Sequence, residues 1–556
     1  MVERFFEKLA APIRGLHQAA YVLALLTLAS QVLALLRDHT FAALFGAGPI
    51  LDLYYSAFRI PDLVFALVAS LVSAYVLIPR IAGGSQEETR KLLSQAVSFL
   101  LIGGGVLCVV LAFFTPELLT FLYPAFTSSA YQAEFITLTR LLLVQPIILG
   151  VSGVLTSVTQ VHRRFILFAL SPVLYNFGII FGVIALYPSL GLPGIGIGVV
   201  LGALLHALLH VPVVAQAGVL PRLIRPSVRT IIDIARDSIP RSLALGMGSV
   251  TLLALTSLAS RIGEGSVSVF TLASNLEAVP LALIGASYAV AAFPALSEHS
   301  VAENRDAFLR VLSASARHII VWSFIFLGLI AVLRAHLVRV ILGAGVFDWD
   351  ATRLTAALLA ICAAGLVAQG LVLLFSRALY AVKQSWWPLI YQVVGGVVSV
   401  LMAWYLLTFP PEGFLEWLSK LLRVSDVSGT EILFVALSAS VGQVVLALWS
   451  LAALSRVTPT LALSLVRPLV HGIFATLVGG AATYGALMVG SEIAPLTTSL
   501  AVFAEGLAAG IVGLAASGLA LFVLKNEEFR DVLKSLSHLP GIRTILPPVA
   551  EEPAQP

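Results

Sequence analysis

Ser171-Pro172-Val173-Leu174-Tyr175 opens one long apolar run, and Trp387-Pro388-Leu389-Ile390-Tyr391 opens another 216 residues later. Further out the chain also repeats itself: at an offset of 215, Pro79 falls on Pro294, Ser85 on Ser300, Glu88 on Glu303 and Arg90 on Arg305. The matches are Pro, Ser, Glu and Arg, which an apolar chain aligns by chance far less readily than Leu or Ala. Six apolar runs of helical length separate the copies. An even number gives both halves one orientation, so the repeat predicts two parallel six-helix lobes related by an axis along the membrane normal, with a site at their interface.

Composition agrees. Of 556 residues, 59% are hydrophobic and only 11% charged, with a mean hydropathy of +1.00, against roughly 25% charged in soluble domains. That excludes a soluble enzyme. A spanning helix needs about 20 mostly apolar residues. Such runs lie near 17–37, 51–79, 92–114, 135–159, 164–187, 192–217, 238–260, 266–297, 314–340, 353–380, 386–408, 432–455, 467–490 and 498–524. The expected fold is an all-α polytopic membrane protein with about 14 transmembrane helices. Its parts are a six-helix lobe over 1–218, a basic linker over 219–236 (Arg222, Arg225, Arg229), a second six-helix lobe over 237–460, two additional helices over 461–524 and a polar tail over 525–556. The tail ends in P-P-V-A-E-E-P-A-Q-P and is expected to be disordered.

Charge placement sets the orientation. Sorted by alternate loops, 24 of the 33 basic residues fall on the side of the amino terminus, among them Arg4, Lys8, Arg14, Arg80, Arg163, Arg222 and Arg543. Nine, including Arg37, Arg59, Arg140 and Arg353, lie in the other loops or within spans. The positive-inside rule then puts both termini in the cytoplasm. The first span, which lacks a small-residue cleavage site, is expected to be a retained helix. A net charge of +4 argues for no nucleic-acid partner. Cys108 and Cys362, far apart and within apolar runs, indicate neither a disulfide framework nor a metal site. No GxxxxGK[ST] occurs, so a gradient or the membrane potential rather than a nucleotide is the expected driving force, and no cofactor is expected.

Charged groups at membrane depth cost at least about 2.5 kcal/mol each and face a cavity or a partner. Here they are Arg37, Asp38, Asp52, Arg59 and Asp62 in the first two spans, Arg140 with Gln145 in the fourth, and Arg241, Asn275 and Glu277 in the seventh and eighth. Arg59 and Asp62 stand three residues apart on one helical face and form a candidate self-neutralising pair. Arg37, Asp38 and Asp52 flank the loop Phe45-Gly46-Ala47-Gly48, where snorkelling to water competes with a substrate role. Asn275 and Glu277, in a span interrupted by Pro280, are candidates for cavity lining. His206 and His210 share a face, and without a third ligand nearby they read as a packed pair rather than a metal site.

The stretch Ser30-Gln31-Val32-Leu33-Ala34-Leu35-Leu36-Arg37-Asp38, then Phe45-Gly46-Ala47-Gly48, Asp52 and Phe58-Arg59-Ile60-Pro61 resemble the opening of the MurJ/MviN family, lipid II flippases within the MOP exporter superfamily. Further likeness runs through Ser171–Asn176, Leu283-Ile284-Gly285, Pro294–Ser297 and Ser376–Ala381. The resemblance implies fourteen helices, two lobes around a central cavity and two final helices forming a lipid groove. It implies a bacterial cytoplasmic-membrane protein of peptidoglycan biosynthesis that binds a lipid-linked disaccharide-peptide precursor, with membrane lipids and cell-wall synthesis proteins as partners. Arg37, Asp52 and Arg59 match the family's Arg, Asp and basic positions and take over headgroup binding, since guanidinium forks fit phosphate oxygens. Asn275 and Glu277 complete the candidate binding set, and Asp52 and Glu277 are candidates for coupling to sodium or protons. Four of the family's usual cations are absent: Gln31, Phe65, Ala66 and Asn275 stand in their places, and Ser274 replaces the Asp beside the last of them.

Two other readings stay open. A cation-coupled exporter of organic cations suits the sparse arginines and the carboxylates of Asp52 and Glu277. A non-transporting scaffold would bind cell-wall partners through loops and tail.

Overall fold

The computed structural model describes residues 16–127, 130–493 and 498–537. Arg4, Lys8 and Arg14 and the chain beyond Ser537, with Arg543 and the proline-containing end, lie outside the described residues. Among those described, the secondary structure is helical throughout. Twelve helices are long and apolar enough to cross a membrane, and the pair Trp349–Ala364 and Leu366–Ala381, bent by 45° at one residue, makes a thirteenth span. Each coincides with an expected span. The first span, outside that set, is the 30-residue helix Leu16–Phe45.

The second span is the most interrupted, running as Pro49–Ala57, Arg59–Leu67, a tight turn over Ala69–Val72, and Ala74–Ala82. Pro61 explains the first break: it has no N–H to donate, and its ring crowds the carbonyl four residues earlier, that of Ala57. Three other spans contain a one-turn widening to π-helix, at Leu100–Gly104, Gly182–Leu186 and Ala282–Ala286.

The repeat survives as geometry, though its register drifts. Helix Gln86–Phe99 opens with a capping box in which Ser85 and Glu88 each accept from the other's backbone N–H. Their partners by sequence, Ser300 and Glu303, do no such work. Glu303 adopts a left-handed φ of +54°, Asn304 caps Ala307 at 3.0 Å, and the helix starts at Arg305, a turn later than the repeat predicts. The next pair of turns matches more closely. Arg163 and Lys383 both sit at left-handed φ (56° and 60°), closed by Arg164 N–H to Thr159 O at 3.0 Å and Gln384 N–H to Leu379 O at 2.9 Å. Each is a helix C-terminal cap with a cation at the negative end of the dipole.

By internal packing the chain forms two compact units. One comprises the described residues up to Leu272 with Ile341–Thr355 and Pro388–Gly442. Its core joins Val72, Leu77, Leu93, Leu100, Val154 and Val214 from the second, third, fourth and sixth spans. In the same unit the helices Phe165–Phe181 and Leu192–Leu208 meet along glycines. A Cβ at Gly182 would lie 2.7 Å from the Gly198 Cα, and one at Gly178 or Gly198 would strike the facing backbone outright. No side chain separates the two helices there. An exposed pair staples the loop after helix Phe414–Leu422: the Arg353 guanidinium donates to both Asp426 oxygens, at 2.7 and 2.5 Å, and to the Arg423 carbonyl at 2.6 Å.

The other unit comprises Ala273–Val340, Ala356–Trp387 and the chain from Gln443. Val321, Ile325, Ala475 and Leu521 form a core there with Phe529 packed against it. Phe529 belongs to Glu527–Ser537, an 11-residue helix inside the tail that the sequence suggested was disordered. Its acidic first turn explains the order: Glu527 meets Arg317 at 3.3 Å and Arg467 at 3.6 Å, and Glu528 meets Arg317 at 3.2 Å.

Candidate functional site

Three of the five candidate residues lie in the first unit. Arg37 stands near the end of Leu16–Phe45, and its Nη2 and Nε reach Asp38 Oδ1 at 2.8 and 3.0 Å. Its Nη1 donates to Asn176 Oδ1 at 3.1 Å, joining the first span to the fifth across 139 residues of chain. Asn176 ends the motif Ser171–Asn176, so two of the family-like stretches meet in one polar contact. Phe41, Tyr54 and Phe58 pack beside it, with ring centroids 4.5 Å apart for Phe41–Tyr54 and 4.9 Å for Tyr54–Phe58.

Asp52 is fully buried. Its oxygens accept from Gly265 N at 2.6 Å and from Ser268 N and Oγ at 2.7 and 2.5 Å. These are the orphan donors at the start of helix Ser266–Leu281. A carboxylate from the second span therefore caps the eighth, in the favourable field of its N-terminus. Gly265 makes this approach feasible: its φ is +82°, and a Cβ there would collide with the Ala47 carbonyl oxygen.

Arg59 opens Arg59–Leu67 just after the break and is only 8% exposed. Its Nη2 donates to Thr271 Oγ1 at 3.2 Å. Its Nε, equally buried, has no hydrogen-bond partner among the described residues. Asp62, one turn on, is near enough to feel the Arg59 charge but makes no ion pair with it within 4 Å among the described residues. Arg59 is thus a buried cation with one hydroxyl as its hydrogen-bond partner, Asp62 near enough to feel its charge, and its Nε–H without an acceptor among the described residues.

Asn275 and Glu277 fall in the second unit. The helix is unbroken through both, so their side chains leave about 200° apart and do not line one face together. Glu277 is buried and accepts from Gln369 Nε2 at 2.5 Å; Cys362 lies beside it, hydrogen-bonded to Ser274. Asn275 is half-buried.

The remaining intramembrane groups find local partners. Arg140 donates to the Ala112 carbonyl at 2.9 Å, Gln145 to the Tyr175 hydroxyl at 3.0 Å and Arg241 to Ser73 at 3.4 Å. His206 meets Ser152 at 2.7 Å, and His210 meets Thr159 at 3.1 Å and Ser171 at 3.0 Å. Four partners of the candidate groups were not among the candidate residues. Asn176 was visible as the last residue of its motif, and Gln369 as a lone amide in the apolar stretch Leu366–Leu374. Thr271 and Ser268 gave no signal, since hydroxyls are common in spanning helices.

Comparison with known proteins fits this geometry. A family model described as "Lipid II flippase MurJ" matches residues 41–485. The lipid II flippase MurJ of Burkholderia cenocepacia is 26% identical over 302 residues, which are 52% of this chain and 58% of that protein, less than two thirds of its length. The probable lipid II flippase MurJ of Vibrio cholerae is 26% identical over 419 residues, 70% of this chain and 78% of that one. Among solved structures, a lipid II flippase MurJ in an inward closed conformation superposes with a TM-score of 0.71 at 18% identity, over 91% of this chain and 100% of that one. An inward-facing multidrug resistance MATE transporter of the MOP superfamily gives 0.63 at 17% identity, over 79% and 99%. The two structures share the fold of this chain, and the family match, which covers most of its length, adds descent: the chain belongs to the MurJ family of lipid II flippases.

Proposed function

We propose that the chain moves lipid II, the lipid-linked disaccharide-peptide precursor of peptidoglycan, from the inner to the outer leaflet of the bacterial cytoplasmic membrane by alternating access. The family match over residues 41–485 is the observation that carries this reading. In it, the lobes over 1–218 and 237–460 rock about a cavity, helices 461–524 guide the lipid tail, and both termini face the cytoplasm as the basic loops require. Arg37 and Arg59 receive the pyrophosphate, Arg59 with donors already free inside the protein. Asn275 bonds the sugar-peptide headgroup. The protein then acts as a transporter without covalent chemistry. A headgroup with two negative charges gains roughly 2.3 kcal/mol per charge for each 100 mV as it leaves a negative interior, so the membrane potential favours export. Rebinding of sodium or a proton at Asp52 or Glu277 resets the empty carrier.

The test replaces the resident lipid II flippase of a bacterium with this protein or its Arg37→Ala and Arg59→Ala variants and reads lipid II accessibility at the outer leaflet. Restored accessibility that both variants lose is the expected result. No restoration by a well-inserted protein overturns the proposal. A second reading, a cation-coupled exporter, rests on the buried Glu277–Gln369 contact; in that case Glu277→Gln abolishes export of organic cations while Arg59→Ala spares it.

A further inference from the structure

The stretch between the sixth and seventh spans takes no part in this mechanism, yet the fold holds it in a definite form. Residues 219–227 run as an extended strap with no helix of their own. Its backbone is tied to the third span: Arg222 N–H donates to Ser94 Oγ at 2.9 Å, Ile224 N–H to Ser98 Oγ at 2.9 Å and Ser227 N–H to Gln95 Oε1 at 2.5 Å. Ser227 then caps helix Val228–Ala259. Because main-chain groups do the tying, most of the side chains from Leu220 on are left exposed, while Val219 packs into the core.

Those side chains are of two kinds. Arg222, Arg225, Arg229 and Arg236 are exposed, and among the described residues none has a side-chain hydrogen bond or ion pair. Over 219–236 the one acidic residue is Asp233. Between the arginines, Leu223, Val228 and Ile232 are 69%, 73% and 57% exposed. On the helix, Val228, Ile232, Ile239 and Leu243 fall within a stripe about 60° wide, and Arg229 and Arg236 border it at about 80–100°. The stripe continues into the seventh span, Ser238–Ala259, where Ile239 and Leu243 are exposed at membrane depth. An apolar stripe edged by guanidiniums that have no partner among the described residues, continuous with apolar side chains exposed along a spanning helix, is the pattern of a segment that lies in an anionic bilayer interface.

We infer that residues 220–236 form a docking surface for anionic phospholipids of the adjacent leaflet: Leu223, Val228 and Ile232 enter the acyl boundary while Arg222, Arg225, Arg229 and Arg236 bind headgroup phosphates. This does not depend on the identity of the transported lipid.

The experiment is hydrogen–deuterium exchange of the full-length protein in nanodiscs of phosphatidylcholine, with and without phosphatidylglycerol. Each arginine at an anionic surface is worth roughly a fivefold change in occupancy, so amides of 228–236 and of Leu223 and Arg225 are expected to exchange at least about fivefold more slowly with phosphatidylglycerol present. Replacing the four arginines by Gln removes that difference, replacing them by Lys restores it, and exchange over 266–301 reports that the fold is intact. Equal exchange in the two lipids overturns the inference, as does a lipid dependence that survives the Gln variant. The same protection from inorganic phosphate in pure phosphatidylcholine would mean a free-anion site and overturns it too.

Discussion

At the scale of single residues, the candidate groups divide by what they already hold. Asp52 has its oxygens engaged by a helix start, and Arg59 has donors left over. Asp52→Ala removes three bonds at once and leaves Gly265 and Ser268 N–H groups buried without acceptors, at about 1–3 kcal/mol per orphaned group. Asp52→Asn keeps one carbonyl acceptor in place. Thermal unfolding in detergent should therefore rank wild type above Asn and Asn above Ala, and equal midpoints for the three would remove the cap from the account. For Glu277 the expected effect is on coupling: Glu277→Gln leaves binding of the lipid precursor unchanged and abolishes the response of transport to a sodium or proton gradient, measured in proteoliposomes. Arg37, Asp52, Arg59 and Glu277 were legible as candidates because a charge inside an apolar run has few reasons to be there. Their partners were not, since Asn176, Thr271, Ser268 and Gln369 are neutral and come from distant segments that only folding brings near.

Among the elements, what the sequence shows is a helix's existence, and what it conceals is its ends. All the expected spans have helices, yet Arg305–Ile341 starts nine residues before the expected 314 because Asn304 caps a polar turn that hydropathy alone ignores. The tail helix Glu527–Ser537 was missed for a related reason: it is ordered by ion pairs to Arg317 and Arg467, which composition does not reveal. Gly265→Ala tests the junction before the eighth span. It puts a Cβ at left-handed φ against a carbonyl, and a loss of about 1–3 kcal/mol is expected in unfolding measurements. The loop after Phe414–Leu422 gives a pH prediction. The Arg353 guanidinium holds the Asp426 carboxyl down to about 2, from an ordinary 3.8. A carboxyl depressed by folding stabilises above its unfolded value and loses that contribution as pH falls through the folded one. Exchange of the 423–431 amides should be flat in opening rate down to about pH 4 and rise toward about pH 2, and Arg353→Ala should raise it throughout the range in which Asp426 is ionised.

Taken as a whole molecule, the chain was most readable in its symmetry. The repeat and the succession of spans needed no tertiary information, because a bilayer imposes the same length rule on every segment. The drift of the repeat from 215 to a full turn more, at Gln86 and Arg305, is what folding adds. Gly198→Leu belongs to this scale: the helices Phe165–Phe181 and Leu192–Leu208 would be forced apart, and the expected outcome is loss of folded protein from membrane fractions. Leu201→Ala, on the exposed side of the same helix, should leave that yield unchanged. The glycine seam carries a mechanical consequence. Two helices in backbone contact cannot slide along or roll about one another without their carbonyls colliding, so the fifth and sixth spans are a keyed joint, transmitting any push as one rod and leaving the give of the transport cycle to helices that meet through side chains.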